Sequence, residues 1–480
     1  MKILLSTPPG KTTELWPPLG LLYIASSLRS VRQDEVKVVD AFCENLGQEE
    51  LVSRVTNERP DVFGINCSTH TFLDTIETLK RVSEVLPDTT LVLGGFHATF
   101  AAERILKDYP FVDYIVKGEA ERSFPKLLEC IESGKSPSDV EGLCFSDNGK
   151  SVSNPAVLID DLDSLPFPAR DLAQEVEYGY FHKGIRLTFG KFTTVSSSRG
   201  CPYGCSYCSC AAFSERKWRA RSPENVVDEL EQLYGEGYEC AVFVDDNLTH
   251  NRKRIERICD LIQSRRIKMQ FYCEGRADNA PYELMKKMKQ AGFGVMYFGI
   301  ESPQKHVLEY YRKTVTAEQA EKAILDSKRA GMLVVTSYIV GAPVESMDDM
   351  KKTEEFIRKV RPHALQVNIL DCLIGTEIWA NMEKEGIPGP DDWKTNHRIY
   401  EYSRNGMTRE ILEGVVNRCY NTHLEAWKTK EGVIEILNTL RSSRTARDVV
   451  IHNLLNPEVR KRISDGSRFD GAAQPRKKDA

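Results

Sequence analysis

The sequence predicts an α/β protein: a doubly wound parallel sheet in front, a partial parallel barrel behind it, and a helical C-terminal region. Three observations carry that expectation. Two separate series of short apolar runs alternate with amphipathic helical patterns. Small and polar residues gather just past the apolar runs. Three cysteines stand in one loop behind the first run of the second series.

In the first series the runs Lys2 to Ser6, Val36 to Val39, Val62 to Cys67, Leu91 to Leu93 and Tyr114 to Val116 read as strands. Short apolar runs of this kind suit strands covered on both faces. Between them, Leu19 to Leu28 places Leu21, Ile24, Ala25 and Leu28 on one helical face, and Pro17-Pro18 starts that helix. Five such repeats within residues 1–140 give a Rossmann-like sheet, which binds ligands beyond the carboxyl ends of its strands. There stand Thr7-Pro8-Pro9-Gly10, Ser68-Thr69-His70-Thr71, Gly94-Gly95-Phe96-His97 and Gly118-Glu119. Gly94-Gly95 lets a bulky ligand approach the backbone closely. No G-x-G-x-x-G follows the first strand, which disfavours a nicotinamide dinucleotide.

Residues 141–192 have poor periodicity and read as an interdomain connector. Residues 193–400 hold the second series: Thr194 to Ser198, Ala241 to Asp245, Gln270 to Glu274, Val295 to Ile300, Val334 to Val340 and Leu365 to Leu370. Helical patterns follow the first five, as in Pro223 to Tyr234, Thr316 to Ala330 and Met347 to Val360. Six units imply a partial (β/α)6 barrel with its function at the carboxyl ends of the strands. Residues 401–465 read as helical and are expected to cap the barrel mouth. Residues 466–480, rich in Gly, Ala and charge, read as a disordered tail.

The chain has 480 residues, 28% charged and 41% hydrophobic, with a net charge of −5. That balance suits a globular protein and gives no reason to expect nucleic acid as partner. No apolar run is long enough for a spanning helix, and Met1 to Thr7 is too short for a signal peptide. Thirteen cysteines, an odd number, would mispair in an oxidising compartment, so the expected location is the cytoplasm.

Cys201, Cys205 and Cys208 stand as C-x₃-C-x₂-C behind Ser198-Arg199-Gly200. Gly200, Pro202 and Gly204 supply the curl that three grouped thiolates require. Three ligands on a four-iron cube leave one iron open to an outside molecule, whereas a structural zinc site wants a fourth protein ligand. Cys210 is the one neighbour able to serve zinc, at a spacing unusual for that metal.

The stretch from Arg199 to Cys208, following a strand and opening a strand–helix series, resembles the radical S-adenosylmethionine (SAM) superfamily. The resemblance implies a [4Fe–4S] cluster on Cys201, Cys205 and Cys208. It implies SAM chelated to the open iron and cleaved to a 5′-deoxyadenosyl radical that abstracts hydrogen from an unactivated carbon. It also implies SAM contacts from Tyr207, from Asp245, Asp246 and Asn247, from Arg276 as a carboxylate clamp, from Glu301 and Ser302, and from Gly341.

The front series sharpens the resemblance. Pro17-Pro18-Leu19-Gly20-Leu21-Leu22-Tyr23-Ile24-Ala25, Gly94-Gly95-Phe96-His97-Ala98-Thr99 and Gly118-Glu119-Ala120-Glu121 resemble the cobalamin-binding branch. That branch contains anaerobic magnesium-protoporphyrin monomethyl ester cyclase, hopanoid methylases and archaeal lipid ring-forming enzymes. By this resemblance Pro8, Pro9, Ser68, Thr69, Gly94, Gly95, His97, Gly118 and Glu119 contact cobalamin. The motif D-x-H-x-x-G is absent after the first strand, so no histidine there ligates cobalt from below. His97 is expected at the cofactor's periphery or closing a loop. A front domain kept only as scaffold is the alternative.

Two reactions compete on this reading. In the favoured one a substrate carbon radical collects a methyl group from cobalamin, giving C-methylation. In the other, the same radical closes a ring or is oxidised without methyl transfer. A non-catalytic cobalamin or redox sensor is a third reading. The expected partners are a small-molecule or lipid substrate and an external one-electron reductant of the flavodoxin or ferredoxin type. Arg441-Ser442-Ser443-Arg444 and Arg476-Lys477-Lys478 leave contact with an anionic membrane open.

Overall fold

The computed structural model describes residues 1–10, 15–174, 176–179, 181–182, 185–402 and 406–455. The first sheet contains β1 (Lys2–Ser6), β2 (Glu35–Val39), β3 (Val62–Asn66), β4 (Thr90–Gly94), β5 (Tyr114–Val116), β6 (Leu143–Asp147) and β7 (Lys150–Ser153), in the order β2-β1-β3-β4-β5-β6-β7. The first five pair in parallel. Helices Leu19–Val31, Gln48–Glu58, Phe72–Val85, Phe96–Asp108 and Ser123–Ser133 connect and cover them. Ile3, Leu4 and Leu5 are all buried, so consecutive residues of β1 pack on opposite faces of the sheet. The strand order reverses around β1, which leaves a crevice between the carboxyl ends of β1 and β3.

β6 and β7 join this sheet antiparallel and lie in the segment expected to be a connector, so the sheet runs past residue 140. Their turn is Asn148-Gly149, both at positive φ. An Asn-Gly pair at positive φ is the favoured two-residue hairpin turn. The exposed, polar β7 hides this hairpin from a periodicity argument.

The second sheet is fully parallel and follows chain order: β8 (Phe192–Val195), β9 (Cys240–Phe243), β10 (Gln270–Gly275), β11 (Phe293–Glu301), β12 (Leu333–Val340) and β13 (Ala364–Ile369). β8 and β13 do not pair, so the barrel stays open. Helices Pro223–Gly235, Arg252–Ser264, Tyr282–Gln290, Ala317–Arg329 and Met347–Val360 line its outside. Ser222, Asn251, Thr316 and Ser346 cap four of them through their side chains.

The C-terminal helices do not all sit at the barrel mouth. Helix Arg409–Trp427 reaches it, where Leu412 lies over Gly341. Helices Lys430–Ser442 and Arg444–Leu455 pack instead against the amino-terminal ends of β11 to β13. The expected tail at 466–480 lies outside the described residues. No helix among the described residues is long and apolar enough to cross a membrane.

Candidate active site

β8 ends early because the residues after it are recruited by a buried acid. Ser197 donates its N–H and hydroxyl to Asp245, 3.1 and 2.7 Å away, and Ser198 donates its hydroxyl to the same carboxylate. The chain then turns at Gly200. Its φ is +81°, and a Cβ there would collide with the Lys217 carbonyl. The Gly200 N–H donates to Asp246 at 2.9 Å.

Cys201, Cys205 and Cys208 follow, all partly buried, and all thirteen cysteines are free thiols. The loop is pinned from outside. Ser206 donates its N–H and hydroxyl to the carbonyls of Tyr311 and Tyr310, and its own carbonyl accepts from Ile378 N–H. Burial pushes the Cys201 thiol up to about 11, while the Cys210 thiol hydrogen-bonds to Cys208 and lowers it. Lys313 and Arg276 lie near Cys205 and favour its thiolate against the larger effect of burial.

Among the described residues no three His, Cys, Asp or Glu side chains converge to hold a single ion. A [4Fe–4S] cube takes one thiolate per iron at separate corners. Three partly buried thiols on one externally pinned loop, with Lys313 and Arg276 near Cys205, supply the three-thiolate donor set that the cube takes.

The residues expected around SAM divide into two groups. Tyr207 donates its hydroxyl to Glu301 at 3.1 Å, and Lys313 Nζ lies 3.0 Å from the same oxygen. Glu301 itself holds φ +68° at the carboxyl end of β11, an unusual conformation for a side-chain-bearing residue. Asp246 borders the cavity described below. Asn247 is fully buried with its side-chain NH₂ unpartnered. These four face the loop or its cavity, or keep donor capacity.

The others are committed to the scaffold. Asp245 is buried and filled by Ser197 and Ser198. Arg276 lies over Tyr203, 3.5 Å from its ring centre, and its fork grips Asp278 at 3.1 and 2.9 Å. A carboxylate clamp therefore has to displace Asp278. The Ser302 hydroxyl caps Gln304 N–H, and Gly341 donates its N–H to Glu345 at 2.7 Å.

A cavity of about 410 Å³ lies between the two domains. Gly94, Gly95, Gly118 and Glu119 border it from the front sheet, and Gly200, Cys210 and Asp246 from the barrel. Gly95 holds φ +95°, and a Cβ there would stand 2.5 Å from the Cys67 carbonyl. Glu119 borders the cavity already engaged. It accepts two bonds of 2.8 Å from Arg219, lies 3.3 Å from Arg199, and accepts the Ile159 N–H. Its carboxyl stays below the usual value because the bonds from Arg219 and the charge of Arg199 outweigh burial.

Pro8, Pro9, Ser68, Thr69 and His97 do not border this cavity. His97 is buried, hydrogen-bonded to Thr69 at 3.1 Å and packed against Phe72 and Trp393. Burial lowers its pKa to about 4, so it is a neutral core side chain. Sequence reasoning missed Asn66, Arg199 and Arg219. Asn66 ends β3 at the crevice and carries a buried, unpartnered side-chain oxygen on the cavity. Its place at a strand end beside Gly94 was a readable signal. The two arginines find their partners in the other domain, which no local pattern announces.

Comparison with known proteins agrees with this geometry. The B12 binding domain model matches residues 10–128, and the Radical SAM superfamily model matches residues 195–357. An uncharacterized methyltransferase of Pyrococcus horikoshii is 31% identical over 387 residues, covering 79% of this chain and 82% of the relative. The anaerobic magnesium-protoporphyrin IX monomethyl ester cyclase of Cereibacter sphaeroides is 29% identical over 84% of this chain, which spans 66% of the cyclase. The hopanoid C-3 methylase of Methylococcus capsulatus is 27% identical over 75% of this chain and 68% of its own. In fold, the cobalamin-dependent S-adenosylmethionine radical enzyme OxsB superposes with a TM-score of 0.69 at 14% identity, covering 97% of this chain and 81% of that one. The radical S-adenosylmethionine methyltransferase TsrM from Kitasatospora setae gives 0.68 at 16%, covering 88% and 91%.

Proposed function

Because the chain belongs to the radical SAM superfamily and carries its B12-binding domain, we propose that it C-methylates an unactivated carbon of a small molecule or lipid. The reaction draws on a [4Fe–4S] cluster, SAM and cobalamin. One observation carries this reading: a single cavity reaches both halves of the machinery. Gly94-Gly95 border it on one side, and Gly200 and Cys210, which bracket the three-cysteine loop, border it on the other.

When bound, the cluster supplies the electron that cleaves SAM, and cobalamin carries the methyl group. The chain's own residues orient and enclose. Cys201, Cys205 and Cys208 would hold the cluster, with Lys313 and Arg276 offsetting charge at Cys205. Asp246 and Glu301 offer carboxylates to the SAM amino group and ribose, and Tyr207 fixes Glu301. Gly94, Gly95, Gly118 and Asn66 line the front-domain side of the cavity and would hold cobalamin there. Burial of this contact between domains excludes water from a reactive radical. A flavodoxin- or ferredoxin-type donor is the matching electron source, and such a donor and thirteen free cysteines suit the cytoplasm.

The test is product stoichiometry. Anaerobically reconstituted protein with cobalamin, SAM and a reductant should release S-adenosylhomocysteine and 5′-deoxyadenosine in equal amounts when substrate is methylated. The cyclase match over 84% of the chain favours ring closure as the second reading. That reaction gives 5′-deoxyadenosine without S-adenosylhomocysteine.

A further inference from the structure

Helix Lys430–Ser442 buries only Gly432. Its inner side is accounted for: Ile436, Thr439 and Leu440 line an apolar cavity of about 320 Å³ beneath β11 to β13, and Glu435 pairs with Lys328 and Arg361. Among the described residues its outer side is not. Val433, Ile434 and Leu437 are 47%, 48% and 51% exposed. At 3.6 residues per turn they share a face with Lys430 and Arg441, so the stripe is apolar in the middle and cationic at both ends. Among the described residues neither Lys430 nor Arg441 has an ion-pair partner. Leu424 on the preceding helix and Ile451 on the following one are exposed as well.

We propose that this outer face seats the protein on the surface of an anionic lipid bilayer. An amphipathic helix of this pattern lies in the interface plane, its aliphatic side chains at the acyl boundary and its Lys and Arg stems reaching the headgroups. Charge complementarity selects that occupant. Residues 424–480 hold 12 basic and 8 acidic side chains, a surplus of four positive charges, whereas residues 1–423 hold 53 basic and 62 acidic. Three of those four surplus charges lie in residues 456–480, which follow the apolar stripe in sequence. Each Lys or Arg near an anionic leaflet adds to the attraction, and salt weakens it.

Cosedimentation of the full chain with lipid vesicles tests this. The protein should bind vesicles containing phosphatidylglycerol, bind phosphatidylcholine vesicles less, and release as salt rises. Ile434→Glu with Leu437→Glu should lower partitioning by at least about tenfold, with unchanged circular dichroism and thermal transition. Lys430→Gln with Arg441→Gln should reduce the preference for the anionic vesicles. Absence of vesicle binding, or equal binding by wild type and the double glutamate variant, overturns the proposal. So does a wild-type dimer that the double glutamate variant converts to monomer, because a second copy then covers the stripe.

Discussion

Arg199 Nη2 donates to Glu121 Oε1 across 2.6 Å, so the residue two positions before Cys201 is anchored in the front domain. Glu119 holds the same arginine and Arg219 besides. The cysteine loop and the front sheet are therefore fixed to one another by a buried ionic lattice that borders the cavity itself.

Removing Glu121 takes from the buried Arg199 its 2.6 Å partner and leaves it Glu119 alone, at 3.3 Å. Glu121→Ala should cost roughly 3 kcal/mol, read as a lower midpoint in urea unfolding. A change under about 1 kcal/mol would mean the pair behaves as a surface contact.

Gly95→Ala adds a methyl group 2.5 Å from the Cys67 carbonyl at φ +95°. The backbone must shift at the cavity wall, so stability should fall by about 2 kcal/mol and cobalamin affinity should fall with it. Gly134→Ala, at φ +64° with open space around it, is the control for the backbone term alone and should leave affinity unchanged.

Glu345 is buried, and the loss of hydration raises its carboxyl to about 7 despite the N–H groups of Gly341 and Ala342. Between its ordinary 4.5 and that value the folded chain holds a proton that the unfolded chain has lost. Its favourable contribution is complete below the lower value and disappears as pH climbs through the upper one. Glu345→Gln should therefore gain stability on wild type as pH rises from about 5 to about 8, by up to about 3 kcal/mol. Parallel pH profiles of thermal stability would contradict this.

His97 is a core residue on this structure. His97→Ala should cost about 2 to 4 kcal/mol. It should leave the electron paramagnetic resonance spectrum of bound cob(II)alamin unchanged. Nitrogen splitting that disappears in the variant would make His97 a cobalt ligand instead.

Much of the fold was legible because burial imposes a plain pattern. β1 and β5 coincide with their apolar runs, and helix Met347–Val360 with its periodicity. The hairpin of β6 and β7 escaped because β7 carries no strong apolar signal, although Asn148-Gly149 marked the turn. At the site, the cysteine loop was readable from spacing alone. The roles of Arg276 and Glu119 were not, since Asp278 and Arg219 satisfy them in three dimensions. Polar strand-end residues look alike in sequence whether they face a ligand or, like Thr69 and His97, one another.

The most direct measurement is metal content after anaerobic reconstitution, compared between wild type, Cys205→Ser and Cys210→Ser. Wild type and Cys210→Ser should each hold about four irons and four sulfides per chain, and Cys205→Ser should lose the stable cluster. One zinc per chain that depends on Cys210, with iron at background, would contradict the account.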